Sequence, residues 1–84
     1  MNEIKKKQIA ILGSTGSIGT QALQVIEEHS ELYEVYALTA YNKVDLLIAQ
    51  ARKFLPEAVV IANEEKYVQL KEALSDLPVK VYAG

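Results

Sequence analysis

A glycine-rich stretch near the amino terminus contains the residues best suited to chemistry. Three glycines recur at every third position, Gly13, Gly16 and Gly19, and the hydroxyl residues Thr15 and Ser17 lie between them. Because glycine has no Cβ, it permits tight turns and lets another molecule approach the backbone closely. Accessible backbone N–H groups and hydroxyls are suited to holding a phosphate. The stretch therefore predicts a phosphate-binding loop.

The residues on either side predict that this loop joins a strand to a helix. Residues 8–12 form a short apolar run that is typical of a strand buried in a parallel sheet. The residues after the loop follow a helical period, which predicts one apolar face made of Ile18, Ala22, Val25 and Ile26. A G-x-x-G-x-x-G pattern in this context favours a dinucleotide-binding turn. Gly13 would make the turn, Gly16 would admit the pyrophosphate, and Gly19 would let the helix pack closely. The alternative is a tight turn with no ligand.

The rest of the chain continues the alternation of strands and helices. Further strands are predicted at residues 35–39, 58–61 and 79–82. The order βαβαβαβ with short connections predicts an α/β fold with a Rossmann-like parallel sheet. We place the fourth strand beside the third, at the outer edge; a position beside the first is the alternative. Doubly wound domains usually continue beyond four strands. We therefore expect residues 1–84 to be the amino-terminal part of an incomplete dinucleotide-binding domain, with catalytic and C-terminal domains elsewhere.

Two further helices are predicted between these strands. Asn42 is expected to cap the second helix, with Asp45 completing an approximate capping box, and Pro56 is expected to end it. Its apolar stripe is Val44, Leu47, Ile48, Ala51 and Leu55. Asn63 is expected to cap the third helix, and the residues expected to face inward there are Tyr67, Leu70, Leu74 and Leu77.

Composition excludes several classes of function. Half of the 84 residues are hydrophobic and 24% are charged, which is typical of a globular domain. The net charge of −2, with one basic cluster at residues 5–7, argues against a nucleic-acid partner. The chain has no cysteine, so it has no thiolate nucleophile. Because no long apolar run or signal peptide is present, we expect no membrane association and a cytoplasmic protein.

The tip of the predicted second strand is informative about the cofactor. NAD-binding folds usually place an acidic residue there to hold the ribose hydroxyls, whereas residues 39–43 contain none. Asn42 and Lys43 would suit a 2′-phosphate instead, and Tyr41 could stack on an adenine. Alternatively, Asn42 only caps a helix and Lys43 is only solvated; both roles could hold together. No nucleophile–base pair and no convergent metal site is recognisable.

Residues 11–21, ILGSTGSIGTQ, closely resemble the amino terminus of the 1-deoxy-D-xylulose 5-phosphate reductoisomerase family. Residues 35–40, together with Gln50, Phe54 and Pro56, extend the resemblance over essentially the whole chain. The resemblance implies an NADPH-dependent enzyme of non-mevalonate isoprenoid biosynthesis. Such an enzyme rearranges 1-deoxy-D-xylulose 5-phosphate and reduces the product to 2-C-methyl-D-erythritol 4-phosphate. It further implies a phosphosugar substrate, a divalent metal (magnesium or manganese) and a homodimer.

The resemblance also implies which residues contact the cofactor. The contacts of the family would fall on Thr15, Gly16, Ser17 and Ile18. A second contact loop usually reads Gly-Lys-Asn in the family, whereas this chain has Tyr41, Asn42 and Lys43, so the glycine is lost and the other two are exchanged. The metal ligands, the substrate phosphate site and the flexible lid of the family lie further along the chain. We therefore expect no catalytic residue or metal ligand in this chain, and no turnover by it alone.

Two rival interpretations remain open on the sequence. The first is another NAD(P)-dependent dehydrogenase or epimerase with the same glycine spacing, such as an extended short-chain dehydrogenase or a semialdehyde dehydrogenase. The second is a stand-alone module that senses a nucleotide without enzymatic activity. The residues that follow Gly84 would distinguish the first, and the mass of the native gene product would distinguish the second.

Overall fold

Four parallel strands form a single sheet in the computed structural model, which describes residues 5–84. The elements in chain order are β1 Lys7–Ile11, α1 Ser17–Glu28, β2 Tyr33–Ala40, α2 Val44–Phe54, β3 Ala58–Ile61, a 3₁₀ turn Glu64–Lys66, α3 Tyr67–Ala73 and β4 Lys80–Ala83. The strands lie in the order β1-β2-β3-β4. The predicted Rossmann-like α/β fold is confirmed, and so is the position of the fourth strand beside the third.

The three helices cover one face of this sheet. Consecutive parallel strands joined by right-handed crossovers, all stepping in the same direction, place every connecting helix on the same side. One apolar core joins the strands to the helices, and its fully buried members are Leu38, Leu47, Ala51, Val59, Ile61, Leu70 and Leu74. The opposite face carries the row formed by Thr39, Val60 and Tyr82, and the ring of Tyr82 is half exposed there.

The orientation of α1 differs from the predicted one. Ile18 is 84% exposed and Val25 is 51% exposed, so the face predicted to be buried is wrong at these two positions. Ile26 is buried as predicted and Ala22 is partly buried against the core, but the other buried residues of α1 are Gly19 and Leu23. Apolar residues of α1 form two adjacent stripes, and a helical period alone does not say which stripe faces the sheet. The close contact of Gly19 with the loop turns the stripe that contains Leu23 and Ile26 towards the sheet.

The ends of the other helices also differ in detail. Leu55 was expected in the apolar stripe of α2, but it ends the helix in a left-handed conformation with φ 50°, and 57% of it is exposed. The stop before Pro56 is confirmed. Asn63 caps the 3₁₀ turn that precedes α3, with its Oδ1 accepting from the N–H of Glu65 at 3.0 Å.

An ion pair links α2 to the turn that follows α3. The guanidinium of Arg52 donates to both carboxylate oxygens of Asp76, at 2.9 and 2.7 Å. This hydrogen-bonded pairing lowers the pKa of Asp76 to about 2. Arg52 also donates to the carbonyl oxygen of Ala73 at 3.0 Å. α2 is thus tied to its neighbour at the surface as well as through the core.

Candidate functional site

The glycine loop lies between the carboxyl end of β1 and the start of α1, and the neighbouring strand holds its first half in place. Gly13 has φ +73°, a left-handed conformation that favours glycine. Its N–H donates to the hydroxyl of Thr39 at 2.9 Å. The next N–H, that of Ser14, donates to the carbonyl oxygen of Thr39 at 2.8 Å. The predicted turn at Gly13 is confirmed, and Thr39 is the residue that anchors it to β2.

Ser14 faces the protein interior rather than the ligand side of the loop. It is fully buried, and its hydroxyl donates to Oε1 of Gln50 on α2 at 2.7 Å. Nε2 of Gln50 donates back to the carbonyl oxygen of Ser14 at 2.8 Å. The hydroxyl and the carbonyl oxygen of Ser14 are therefore both satisfied by one side chain, as buried polar groups require.

The other two glycines serve different purposes. A Cβ built on Gly16 would lie 3.6 Å from its nearest neighbour, the carbonyl oxygen of Gly13, so nothing in the fold excludes a side chain there. A Cβ on Gly19 would instead clash with backbone, lying only 2.7 Å from Cα of Ser14. Gly19 is required by the packing of α1 on the loop. Gly16 leaves an open cradle that a side chain would fill.

The start of α1 presents hydrogen-bond donors to this cradle. Gly16 is the N-cap and makes no side-chain capping bond, and the N–H of Thr20 makes the first helical bond, to the carbonyl oxygen of Gly16 at 2.9 Å. The N–H groups of residues 17–19 precede that bond and so have no partner within the helix. The first turn of α1 has no acidic residue, so the positive end of the helix dipole is not offset there.

An open groove of about 570 Å³ runs alongside the loop and the first turn of α1. Two large apolar side chains border it, Leu12 at 81% exposed and Ile18 at 84% exposed. Thr15 is half-buried and Ser17 is exposed. Of the predicted residues, Gly13, Gly16, Ser17, Ile18 and Gly19 line this groove, whereas Thr15 does not. The N–H donors at the start of α1 suit the pyrophosphate of a dinucleotide.

The tip of β2 adjoins this loop, because the carboxyl ends of β1 and β2 lie at the same edge of the sheet. Tyr41 is 69% exposed, and Lys43 is exposed. The prediction that Asn42 caps α2 is wrong: Lys43 is the N-cap, and no side chain makes a capping bond. Oδ1 of Asn42 accepts instead from Nδ2 of Asn63. The proposed capping box fails as well, because Asp45 accepts from Nε2 of Gln69 at 3.1 Å.

The structure also identifies residues that the sequence analysis did not assign to the site. Thr39, Ser14, Gln50 and Asn63 hold the loop and the strand tip in place through hydrogen bonds. A polar Gln50 within the apolar stripe of α2 was a usable signal, because a buried glutamine needs partners. Among residues 5–84, no group of three or more His, Cys, Asp or Glu side chains could hold a metal ion.

This sheet, the glycine loop at its carboxyl edge and the cradle at the start of α1 define a Rossmann-like nucleotide-binding fold. Within that class the chain belongs to the 1-deoxy-D-xylulose 5-phosphate reductoisomerase family, whose sequence model matches residues 9–84. A reductoisomerase from Bacteroides fragilis is 95% identical over all 84 residues, and one from Porphyromonas gingivalis is 63% identical over 79 residues, or 94% of the chain. Family membership favours the reductoisomerase over both rival interpretations.

Solved structures show the same similarity. The reductoisomerase from Zymomonas mobilis in complex with NADPH covers 95% of this chain with a TM-score of 0.91 and 39% identity. A second reductoisomerase, in complex with NADPH, fosmidomycin and magnesium, covers 93% with a TM-score of 0.87 and 36% identity. The chain spans 22% of the Bacteroides fragilis relative, 20% of the Porphyromonas gingivalis relative, and 21% and 19% of these two structures. None of the helices described is long and apolar enough to cross a membrane.

Proposed function

We propose that this chain is the amino-terminal part of the NADPH-binding domain of a 1-deoxy-D-xylulose 5-phosphate reductoisomerase. The observation that carries the proposal is the cradle at Gly16, which has room for a ligand atom and is lined by the unpaired N–H groups of α1. Its support from relatives is the Zymomonas mobilis enzyme, which has the same fold over this segment and was solved with NADPH.

In this proposal the glycine loop receives the pyrophosphate. Thr15, Gly16, Ser17 and Ile18 contact it through N–H groups, hydroxyls and the exposed apolar side chain. Gly13 sets the turn, whereas Gly19 brings α1 close enough for its first N–H groups to reach the ligand. Charge-assisted hydrogen bonds from backbone N–H groups are among the stronger ones in proteins, so a loop with this geometry contributes much of the binding energy.

The tip of β2 receives the adenosine end of the cofactor. Residues 39–43 offer amide, hydroxyl and ammonium groups and no carboxylate, a set that attracts a 2′-phosphate and would not repel it. With Oδ1 of Asn42 engaged by Asn63, Nδ2 of Asn42 is the group left to donate. Lys43 supplies a positive charge beside it, and Tyr41 supplies an exposed ring for stacking on the adenine.

The chain acts by binding and orienting the cofactor, and the reaction itself requires the rest of the protein. NADPH, when bound, supplies the hydride that reduces the rearranged substrate. The proposed substrate is 1-deoxy-D-xylulose 5-phosphate and the product is 2-C-methyl-D-erythritol 4-phosphate. The proposed magnesium or manganese ligands, the substrate contacts and the homodimer interface belong to other domains. We propose a cytoplasmic location for the enzyme.

The experiment uses a full-length reductoisomerase that carries this segment. The segment can replace the corresponding residues of the Bacteroides fragilis relative. With substrate and magnesium, it should oxidise NADPH and form 2-C-methyl-D-erythritol 4-phosphate. The 84-residue chain alone, with its mass verified, should give no product. Absence of product from the full-length enzyme would contradict the function, and product from the chain alone would contradict the location of the chemistry.

A further inference from the structure

We propose that Gln50 is a positioning residue for NADPH, which holds the glycine loop in its binding conformation without touching the cofactor. The inference rests on the proposed function of that loop. Gln50 lies on α2, in the second βαβ unit, 36 residues after Ser14. It is 7% exposed, so its amide is withdrawn from solvent and directed at the loop.

The hydrogen bonds fix the orientation of the Gln50 amide uniquely. The carbonyl oxygen of Ser14 can only accept a hydrogen bond, so the group 2.8 Å away from it is the amide nitrogen, Nε2. Oε1 is then the group that faces the hydroxyl of Ser14 at 2.7 Å, and that hydroxyl donates to it. The side chain of Gln50 therefore binds the loop at two points, through the main chain and the side chain of the same residue.

Ser14 is the residue through which this attachment reaches the ligand side of the loop. It lies between Gly13, which makes the turn, and Thr15, the first proposed contact. Its N–H is bonded to Thr39 of β2, and its carbonyl oxygen and hydroxyl are bonded to Gln50 of α2. With all three groups fixed, the peptide that leads into residues 15–17 has a defined direction before the cofactor arrives. Such preorganisation lowers the cost of ordering a loop upon binding.

A purely structural role for Gln50 would have different consequences. Replacing a buried polar side chain by an apolar one of similar shape changes stability by amounts that many core substitutions also reach. A general loss of stability would affect the binding of cofactor and substrate alike. Loss of loop positioning would weaken only the binding of NADPH, because it leaves the substrate site of the other domains unchanged.

The first test compares Gln50→Met with Leu47→Val in the full-length enzyme. Leu47 lies on the same helix and is fully buried, but it makes no hydrogen bond to the loop. For Gln50→Met we expect the KM for NADPH to rise about tenfold, with kcat and the KM for the phosphosugar changed by less than about twofold. Leu47→Val should lower the melting temperature and leave the KM for NADPH unchanged. The proposal would be overturned if the two variants had the same KM for NADPH.

The second test is rescue by protonation in Gln50→Glu. A protonated carboxyl has one acceptor oxygen and one O–H donor, so it can reproduce both bonds to Ser14, whereas a carboxylate lacks the donor and repels the carbonyl oxygen. Burial raises the pKa of the introduced carboxyl. Gln50 also lines a separate surface pocket between α1 and α2. The ionised side chains that line this pocket are Glu27 and Lys53, which pair with each other at 2.8 Å.

The readout is the Kd for NADP⁺ of Gln50→Glu divided by that of the wild type at each pH. Division by the wild type removes the titration of the 2′-phosphate itself. The ratio should fall as the pH is lowered from about 8 towards about 5, through the raised pKa of the introduced carboxyl, because the protonated form restores the attachment. A ratio that does not change with pH would overturn the proposal, even if Gln50→Met fails to fold.

The Gly16→Val variant separates failure of this inference from failure of the proposed function. If Gly16→Val raises the Kd for NADPH and the Gln50 variants do not, the loop binds the cofactor and only the role of Gln50 is refuted. If Gly16→Val leaves the Kd unchanged, the loop is not the cofactor site, and both proposals are refuted.

Discussion

Nδ2 of Asn63 donates a hydrogen bond to Oδ1 of Asn42, which joins the segment after β3 to the tip of β2. The orientation of Asn63 follows from its other contact, because its Oδ1 accepts from the N–H of Glu65 at 3.0 Å. The N–H of Asn63 also donates to the carbonyl oxygen of Tyr41 at 2.9 Å. The amide of Asn42 is thereby turned so that its NH₂ group remains available as a donor.

Asn63→Ser tests whether this contact sets the preference for NADPH. Serine caps helices about as well as asparagine, so the 3₁₀ turn should persist, but its short side chain cannot donate to Asn42. We expect the KM for NADPH to rise about threefold to tenfold. The KM for NADH is the control, since NADH has no 2′-phosphate and its KM should stay the same. An equal rise for both cofactors would show that the change is not specific to the phosphate.

Replacement of Asn42 and Lys43 together by Asp and Ala tests the 2′-phosphate site itself. The wild-type enzyme should prefer NADPH over NADH by at least about tenfold in kcat/KM, because a lysine contact to phosphate contributes roughly 1–3 kcal/mol. The double variant should lose most of this preference, since an acidic side chain suits free ribose hydroxyls and repels a phosphate. Steady-state kinetics with both cofactors measures the preference.

Two outcomes of these kinetics would contradict the assignment in different ways. Equal use of NADH by the wild type would mean that the missing acid at residues 39–43 does not indicate a preference. A preference for NADPH that survives in the double variant would place the 2′-phosphate against another part of the protein.

The sequence predicted the elements of the fold because each is encoded locally. The apolar runs, the helical periods, Pro56 and the Asn63 cap all act within a few residues of their own position. The rotation of α1 was not predictable in this way. It depends on Gly19 packing against the backbone of the loop, a contact that no count of apolar residues reveals, and it places Ile18 and Val25 outside the core.

The geometry of the glycine loop was predictable from the sequence, whereas the contacts that hold this loop and the strand tip in place were much less so. The spacing of Gly13, Gly16 and Gly19 indicated the loop directly. The attachments from Thr39, Gln50 and Asn63 are long-range contacts that require the sheet to be assembled. Asn42 was misassigned as a cap because asparagine favours caps locally, whereas the tertiary contact with Asn63 uses the same oxygen.

The different roles of two glycines give a prediction about stability. Gly19→Ala should lower the melting temperature of the full-length enzyme, because the added Cβ clashes with backbone that cannot yield easily; overpacking of this kind costs about 1–3 kcal/mol. Gly16→Ala is the matched control, since its Cβ has 3.6 Å of clearance and the backbone there has φ −81°. Thermal unfolding of both variants measures the difference. A similar melting temperature for both would contradict the packing role of Gly19.

The most direct test of the account is the affinity of Gly16→Val for NADPH, measured by calorimetry on the full-length enzyme. A branched side chain at this position would fill the cradle and push the pyrophosphate away from the N–H groups of α1, forfeiting charge-assisted hydrogen bonds of ~1.5–3 kcal/mol each. The account predicts a Kd raised by at least about tenfold, with circular dichroism and the KM for the phosphosugar unchanged. A Kd equal to that of the wild type in the folded variant would contradict the assignment of this loop to the cofactor.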